Sequence, residues 1–213
     1  GEGDLLPGLI IDIYANTAVI QSHTDGMYLC LDEISNAIQT VFGKEIEHIY
    51  SKSSAAMHDP EITDEFLLGS QEETIATENH MNFKVNWVTG QKTGFFLDQR
   101  ENRALLNHYS KGKTVLNTFS YSGGFSVAAL MGGAENVISV DISQIAVNLS
   151  EENVALNNRN SQHEAIQADV MKYLKDVEAL YDIVVLDPPA FAKHREKRHQ
   201  AIQGYKRLNA HAI

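Results

Sequence analysis

Apolar positions along the chain change their period near residue 113. From there, short apolar runs alternate with helical patterns: Thr114 to Thr118 reads as a strand, Gly124 to Met131 as a helix, Val137 to Val140 as a strand and Ile142 to Asn157 as a helix. Ala165 to Ala168, Val170 to Ala179 and Ile183 to Leu186 continue the series as strand, helix and strand. Strands separated by helices of this length predict right-handed βαβ units and a parallel, doubly wound sheet. Ile183-Val184-Val185-Leu186, apolar throughout and mostly β-branched, predicts a fully buried strand of that sheet.

The first 90 residues follow another rule. Leu9 to Tyr14 and Ala18 to Gln21 read as a hairpin about Ala15-Asn16-Thr17, and Leu29, Ile34, Ile38, Val41 and Phe42 recur at helical spacing before a Gly43 stop. Ile46 to Tyr50, Glu73 to Glu78 and Phe83 to Val88 read as further strands, the last two joined by Asn79 to Asn82, while Ser51 to Thr63 is expected to be a mobile loop. The expected division is an α+β unit over residues 1–90 and a Rossmann-like α/β domain over residues 91–213.

A hydrophobic content of 43% in 213 residues is enough for a sizeable core. No apolar run approaches the length of about 20 residues that a membrane span needs, and the first residues carry no basic signal region, so the cytoplasm is the expected compartment. The one cysteine, Cys30, excludes an internal disulfide and a cysteine-rich zinc site, and no metal is expected. Free cysteine is most often a small core residue, so Cys30 is expected to be buried.

The net charge of −11 argues against a nucleic-acid partner until its distribution is considered. Residues 1–90 hold 15 acidic and 3 basic side chains, a balance of −12, whereas residues 91–213 hold 13 and 14, a balance of +1. Lys193, Arg195, Lys197, Arg198, Lys206 and Arg207 cluster with only Glu196 opposing them, a phosphate-attracting stretch or a solvated helix face.

Candidate chemistry gathers past the ends of the predicted parallel strands, where ligands bind in such sheets. Asn117 to Phe125 joins the first strand to its helix through small residues and the paired Gly123-Gly124, which allow close backbone approach. Asp141 ends the second strand, where a carboxylate can accept from both ribose hydroxyls; its alternative is a helix N-cap. Asp169 follows the third strand, placed for an adenine amino group or for capping the next helix. The dinucleotide pattern Gly-x-Gly-x-x-Gly is absent, which favours a nucleoside cofactor without phosphates. Asp187-Pro188-Pro189 follows the fourth strand in a stiff, extended path, either a loop whose carbonyls are free to accept from a substrate or a strand-terminating turn.

Together these residues resemble a class I S-adenosylmethionine-dependent methyltransferase. A more specific run precedes them: Gly90-Gln91-Lys92-Thr93-Gly94-Phe95-Phe96-Leu97-Asp98-Gln99-Arg100, with Asn102-Arg103, resembles the RlmI-like ribosomal RNA large subunit methyltransferases, which make 5-methylcytosine. Leu6 to Asp12 and Pro188 to Lys193 resemble the same family, so the similarity covers nearly the whole chain.

The resemblance implies S-adenosylmethionine as cofactor, held by Gln99, Thr118, Phe119, Ser120, Gly123, Asp141, Asp169 and Asp187. It implies Asp187, Pro188 and Pro189 as the base-positioning elements, and Arg100, Lys193, Arg195, Lys197 and Arg198 on the side of ribosomal RNA. Residues 1–90 correspond in that family to the central domain before the catalytic one. C5 methylation requires a thiolate to add at C6 of the base, and the family's cysteine follows a later strand, beyond Ile213. About four of the seven strands of such a sheet are read here, so the chain is expected to be a fragment, or to have its exposed strand edge covered by a second copy. Amino-group methylation of nucleic acid, and a non-catalytic cofactor- or RNA-binding module, are the alternative readings.

Overall fold

The computed structural model describes residues 1–57, 59–192 and 197–213. They form two compact units, one of residues 1–76 and 84–97 and the other of residues 77–83 and 98–213.

In the first unit, β1 (Leu9–Tyr14) and β2 (Thr17–Ser22) form the expected hairpin. A helical segment then breaks in two, α1 (Asp25–Leu29) and α2 (Leu31–Phe42), and β3 (His48–Ser51) follows. The break corrects the expected helical face. Leu29 and Val41 are exposed, whereas Ile38 is buried and Ile34 and Phe42 pack against the core as expected, with Leu31 and Ser35 added to the buried face. Cys30 is the junction residue, with φ −99° and ψ 16°, and it is exposed rather than buried because the junction turns it away from both helical faces. Gly43 ends α2 at φ 54°, a conformation that favours glycine.

Within the stretch expected to be loop lies α3 (Ser54–Met57), and β4 (Glu65–Leu68) completes a sheet of order β1-β2-β3-β4. The β2–β3 pair is parallel and its two neighbours antiparallel. Leu9, Ala18, Ile20, Ile46 and Ile49 pack with Leu31 and Ile38 of α2 as the core. β5 (Glu73–Glu78) and β6 (Met81–Asn86) form a two-stranded sheet, with Asn79 and His80 at positive φ in its turn.

The Gln91 to Phe95 run is fastened inside this unit. Thr93 and Phe95 are buried, the Thr93 hydroxyl donates to Asp12 and pairs with the Tyr14 hydroxyl at 3.0 Å, and Trp87 stacks on Tyr14 with no exposed surface. The Lys52 ammonium is sunk against the Trp87 and Gly90 carbonyls, and burial pulls its pKa below the usual lysine value. Gly94 sits at φ 122°, with Val85 and the Asn86 carbonyl where a Cβ would project.

The second unit is the doubly wound part. Its elements are α4 (Arg100–Tyr109), β7 (Thr114–Thr118), α5 (Gly124–Met131), β8 (Asn136–Asp141), α6 (Gln144–Leu156), β9 (His163–Gln167), α7 (Val170–Asp176), β10 (Ile183–Leu186) and α8 (Arg198–Ala212). The sheet has order β10-β7-β8-β9 and every pair is parallel. Leu116, Ile138, Val140, Ile166, Val184 and Leu186 point to one face and pack with Val170 and Leu174 of α7 and Leu208 of α8. The opposite residues of β7, β8 and β9 face α5 and α6, whose small buried residues Ser126, Ala128, Ala129 and Ser150 let those helices approach closely. β10 is half-buried along its length rather than fully buried, because it is bonded to β7 on one side and forms the edge of the described sheet. Among the described residues no helix is long and apolar enough to cross a membrane.

Candidate cofactor and substrate site

Register in the parallel sheet aligns the candidate residues. Leu186, Thr118, Val140 and Ile166 are successive cross-strand partners, so Asp187, Phe119, Asp141 and Gln167 follow them along one edge. At the usual spacing of about 4.8 Å between strands, that row is about 14 Å long.

The β7–α5 loop is tightly coiled, with Phe119 at φ 53°, Tyr121 at 45° and Gly123 at 71°. A Cβ on Gly123 would lie 2.6 Å from Ser150 Oγ, so close packing on α6 as well as backbone sign calls for glycine there. The loop is tied to the carboxylate beside it: the Tyr121 N–H donates to Asp141 Oδ2 at 3.0 Å and the Ser143 N–H to Oδ1 at 2.9 Å. Asp141 therefore does not cap α6, a role taken by Ser143, whose hydroxyl accepts from the Ala146 N–H. Each Asp141 oxygen holds one backbone N–H and retains acceptor capacity. Ser120 is buried and its hydroxyl has no hydrogen-bond partner among the described residues, as expected of a group that a bound polar ligand satisfies.

Other candidates are already engaged. The Thr118 hydroxyl donates to the Val185 carbonyl at 2.7 Å, bracing β7 against β10. Asp169 caps α7 by accepting from the Lys172 N–H at 3.0 Å, and its side chain is exposed at the end of the row.

Gln99 is the N-cap residue of α4, and Asn102 donates to its Oε1 at 2.7 Å, which leaves the Gln99 amide N–H groups turned outward from that bond. Gln99, Asn102, Tyr109 and Phe125 line a cavity of about 520 Å³ whose floor is β10 through Asp187. Gln99 and Asp187 thus share one cavity, while Asp141 and Asp169 lie outside it. Arg100 is exposed at the start of α4.

Asp187 and Pro189 are exposed and Pro188 half-buried, in a segment without regular structure. The Phe191 ring packs against that of Tyr205 of α8, tilted by 33° with 4.5 Å between ring centres. Lys197 and Arg198 are exposed at the start of α8, whereas Lys193 and Arg195 lie outside the described residues.

A buried polar seam on the α5–α6 face was not foreseen. Asn117 Nδ2 donates to Ser126 Oγ at 2.8 Å, Ser126 and Ser139 share a hydrogen bond at 2.6 Å, and Ser139 Oγ lies 2.7 Å from His163 Nε2. The Ser150 hydroxyl donates to Ser139 at 3.2 Å, and Asn153 Nδ2 to the Ser122 carbonyl at 2.7 Å. Burial lowers the His163 pKa to about 4. The signal in the sequence was Asn117 and Ser139, polar residues at inward positions of strands otherwise apolar there.

A four-stranded parallel sheet, a glycine turn at its first strand and a carboxylate at its second define a Rossmann-like protein built for a nucleoside cofactor. Residues 47–211 match the family model described as S-adenosylmethionine-dependent methyltransferase, and the chain belongs to that family. It is 38% identical over 220 residues to the ribosomal RNA large subunit methyltransferase I of Alteromonas mediterranea, covering 100% of this chain and 55% of the relative. The enzyme of the same name from Aeromonas salmonicida is 38% identical over 217 residues, covering 98% and 54%. Among solved structures, a protein described as a methyltransferase and crystallised with SAH aligns at 32% identity and a TM-score of 0.81, over 97% of this chain and 56% of that one. A tRNA m1G37 methyltransferase from M. jannaschii shares the fold, at 20% identity and a TM-score of 0.67 over 92% of this chain and 59% of its own. The chain spans about half the length of the curated relatives it matches.

The residues present fit the family's cofactor. The loop offers the unpartnered Ser120 hydroxyl and a carboxylate with spare acceptor capacity, and it lacks the three-glycine pattern a pyrophosphate would need.

Proposed function

We propose that this chain carries the cofactor-binding part of an RNA methyltransferase acting on large-subunit ribosomal RNA, with C5 of a cytosine as the methylated atom. The observation that carries the reading is the aligned edge of Asp187, the Phe119 to Gly123 loop and Asp141, in a chain whose full-length relatives bear the name of ribosomal RNA methyltransferases. When bound, S-adenosylmethionine supplies an electrophilic methyl group on a positively charged sulfur.

Asp141 would accept the ribose hydroxyls, Ser120 and the backbone of Phe119 to Gly123 would enclose the nucleoside, and Asp169 would face the adenine with the carboxylate oxygen that does not cap α7. Thr118 would contribute through its position beneath the loop, since its hydroxyl is engaged. Gln99 and Asp187 would lie toward the methyl-donor end or the entering base, and Pro188 and Pro189 would hold the base beside Asp187. The base must leave its stack to reach such a site. Arg100, Lys193, Arg195, Lys197 and Arg198 would meet RNA phosphates.

C5 chemistry requires a thiolate to add at C6, and the family resemblance assigns that role to a cysteine after a later strand of the sheet rather than to Cys30, which is exposed at the α1–α2 junction. Amino-group methylation is disfavoured because Phe191 stands one residue later than the aromatic usual in Asp-Pro-Pro-Tyr adenine enzymes. A second copy of the chain over the β10 edge is the oligomer this reading allows.

Calorimetry with S-adenosylmethionine tests the cofactor site: the wild-type chain should bind, and Asp141→Asn should weaken binding at least about tenfold, the loss expected when a charge-assisted pair of hydrogen bonds is removed. No binding by the wild type would sink the reading. Nuclease digestion and mass spectrometry of methylated ribosomal RNA would then distinguish 5-methylcytosine from an N-methylated base.

A further inference from the structure

The hydroxyl seam beneath residues 119–123 can run in either direction, and the His163 tautomer decides between them. Asn117 donates through Nδ2 to Ser126 Oγ, so the Ser126 hydrogen is directed to Ser139 Oγ. Ser139 also accepts from Ser150, which leaves its own hydrogen for His163 Nε2. Every hydroxyl hydrogen then has an acceptor only if Nε2 is unprotonated, that is, if the ring is neutral with its proton on Nδ1. With Nε2–H, Ser139 must donate back to Ser126, and Ser126 has an acceptor only if Asn117 turns its carbonyl inward.

We infer that His163 is a positioning residue for the cofactor loop: its neutral, Nδ1-protonated ring is the terminal acceptor of a hydroxyl chain that holds α5 and α6 against residues 119–123. The mechanical link is short. Ser126 lies two residues after Gly124, where α5 begins, and Ser150 is the side chain against which Gly123 packs, 2.6 Å from where its Cβ would be. One turn further along α6, Asn153 holds the Ser122 carbonyl. Reversing the hydroxyl chain requires the Asn117 amide to turn, since in its present orientation Nδ2 holds Ser126 and Oδ1 is buried with no partner among the described residues. The consequence for cofactor affinity rests on the site proposed above; the polarity and the loop order do not.

Two measurements on the 213-residue chain decide it. Nitrogen-15 NMR of labelled histidine at neutral pH should report His163 as the Nδ1–H tautomer with a hydrogen-bonded, unprotonated Nε2; an Nε2–H tautomer would overturn the inference. Amide exchange of residues 119–124 should speed about tenfold in His163→Leu, which removes the acceptor, and stay within about twofold of wild type in His163→Gln, whose carbonyl can accept from Ser139. Equal exchange in the two variants, or none faster than wild type, would count against a positioning role. Should the wild type fail to bind S-adenosylmethionine, the cofactor site falls while both measurements still decide the seam. Should it bind, His163→Leu should weaken binding about tenfold and His163→Gln by less than threefold.

Discussion

A carboxylate that already holds two backbone N–H groups is a fixed object, and Asp141 keeps acceptor capacity on both oxygens for the ligand proposed above. Its place at the end of the second strand could be read from the sequence, because the run Val137 to Val140 stops there, and the capping alternative falls because Ser143 caps α6. The Tyr121 contact could not be read, since it depends on the loop coiling back through three positive-φ residues. Ser120 is the simplest probe of the same loop. Ser120→Ala should lower S-adenosylmethionine affinity by about two- to tenfold, the worth of one neutral hydrogen bond, with an unchanged thermal midpoint in the absence of ligand. A lowered midpoint would mean that the hydroxyl serves the fold. Cys30 shows the opposite limit: its residue type suggested burial, but a break between two helices, decided by the packing of Leu31 and Ile38, left it in solvent.

At the scale of elements, the alternation of strands and helices after residue 113 could be read to within about three residues at each end, because β7, β8 and β10 carry apolar runs and only β9, with His163, Glu164 and Gln167, is mostly polar. The misses have physical causes. β4 is four residues with a charged start, and α8 buries only Ala201 and Leu208 fully, too few to mark a helical face. Helix contact was equally hidden. A Cβ at Gly132 would lie 2.1 Å from the Asn107 carbonyl, where the end of α5 passes α4. Gly132→Ala should therefore cost about 1–3 kcal/mol in urea unfolding, although alanine is the better helix former. The seam on the other side of α5 predicts a pH dependence. An unfolded histidine titrates at about 6.5 but folded His163 at about 4, so the unfolded state binds more protons between those values. The contribution of His163 to stability is complete above pH 6.5 and is lost as pH falls toward 4. Urea midpoints between pH 7.5 and 4.5 should show that loss in the wild type and a flatter course in His163→Gln.

For the whole molecule, charge was the most useful quantity available from composition, once it was divided along the chain. A total of −11 conceals a second part near neutrality that ends in α8, where Lys197, Arg198, Lys206 and Arg207 are all exposed and no acid lies between residues 197 and 213. If that helix meets RNA, reversing those four charges should reduce the slope of log affinity against log salt by about 3, as phosphate contacts release counterions. An unchanged slope would return α8 to an ordinary solvated surface. The most specific run in the sequence, Gly90 to Arg100, had two purposes that residue order could not separate. Its first half is fastened inside the first unit by Tyr14, Asp12 and Lys52, and its last two residues open α4 in the second.

That fastening gives the chain a built-in optical label. Trp87 is the one tryptophan in the sequence, wholly enclosed and stacked on Tyr14 in the first unit. Its emission colour therefore follows the melting of that unit alone, while the eight α-helical and parallel-strand elements from β7 to α8 contribute to circular dichroism without any indole signal of their own. Heating one sample with both detectors would show, without labelling, whether the two units come apart in one event or in two.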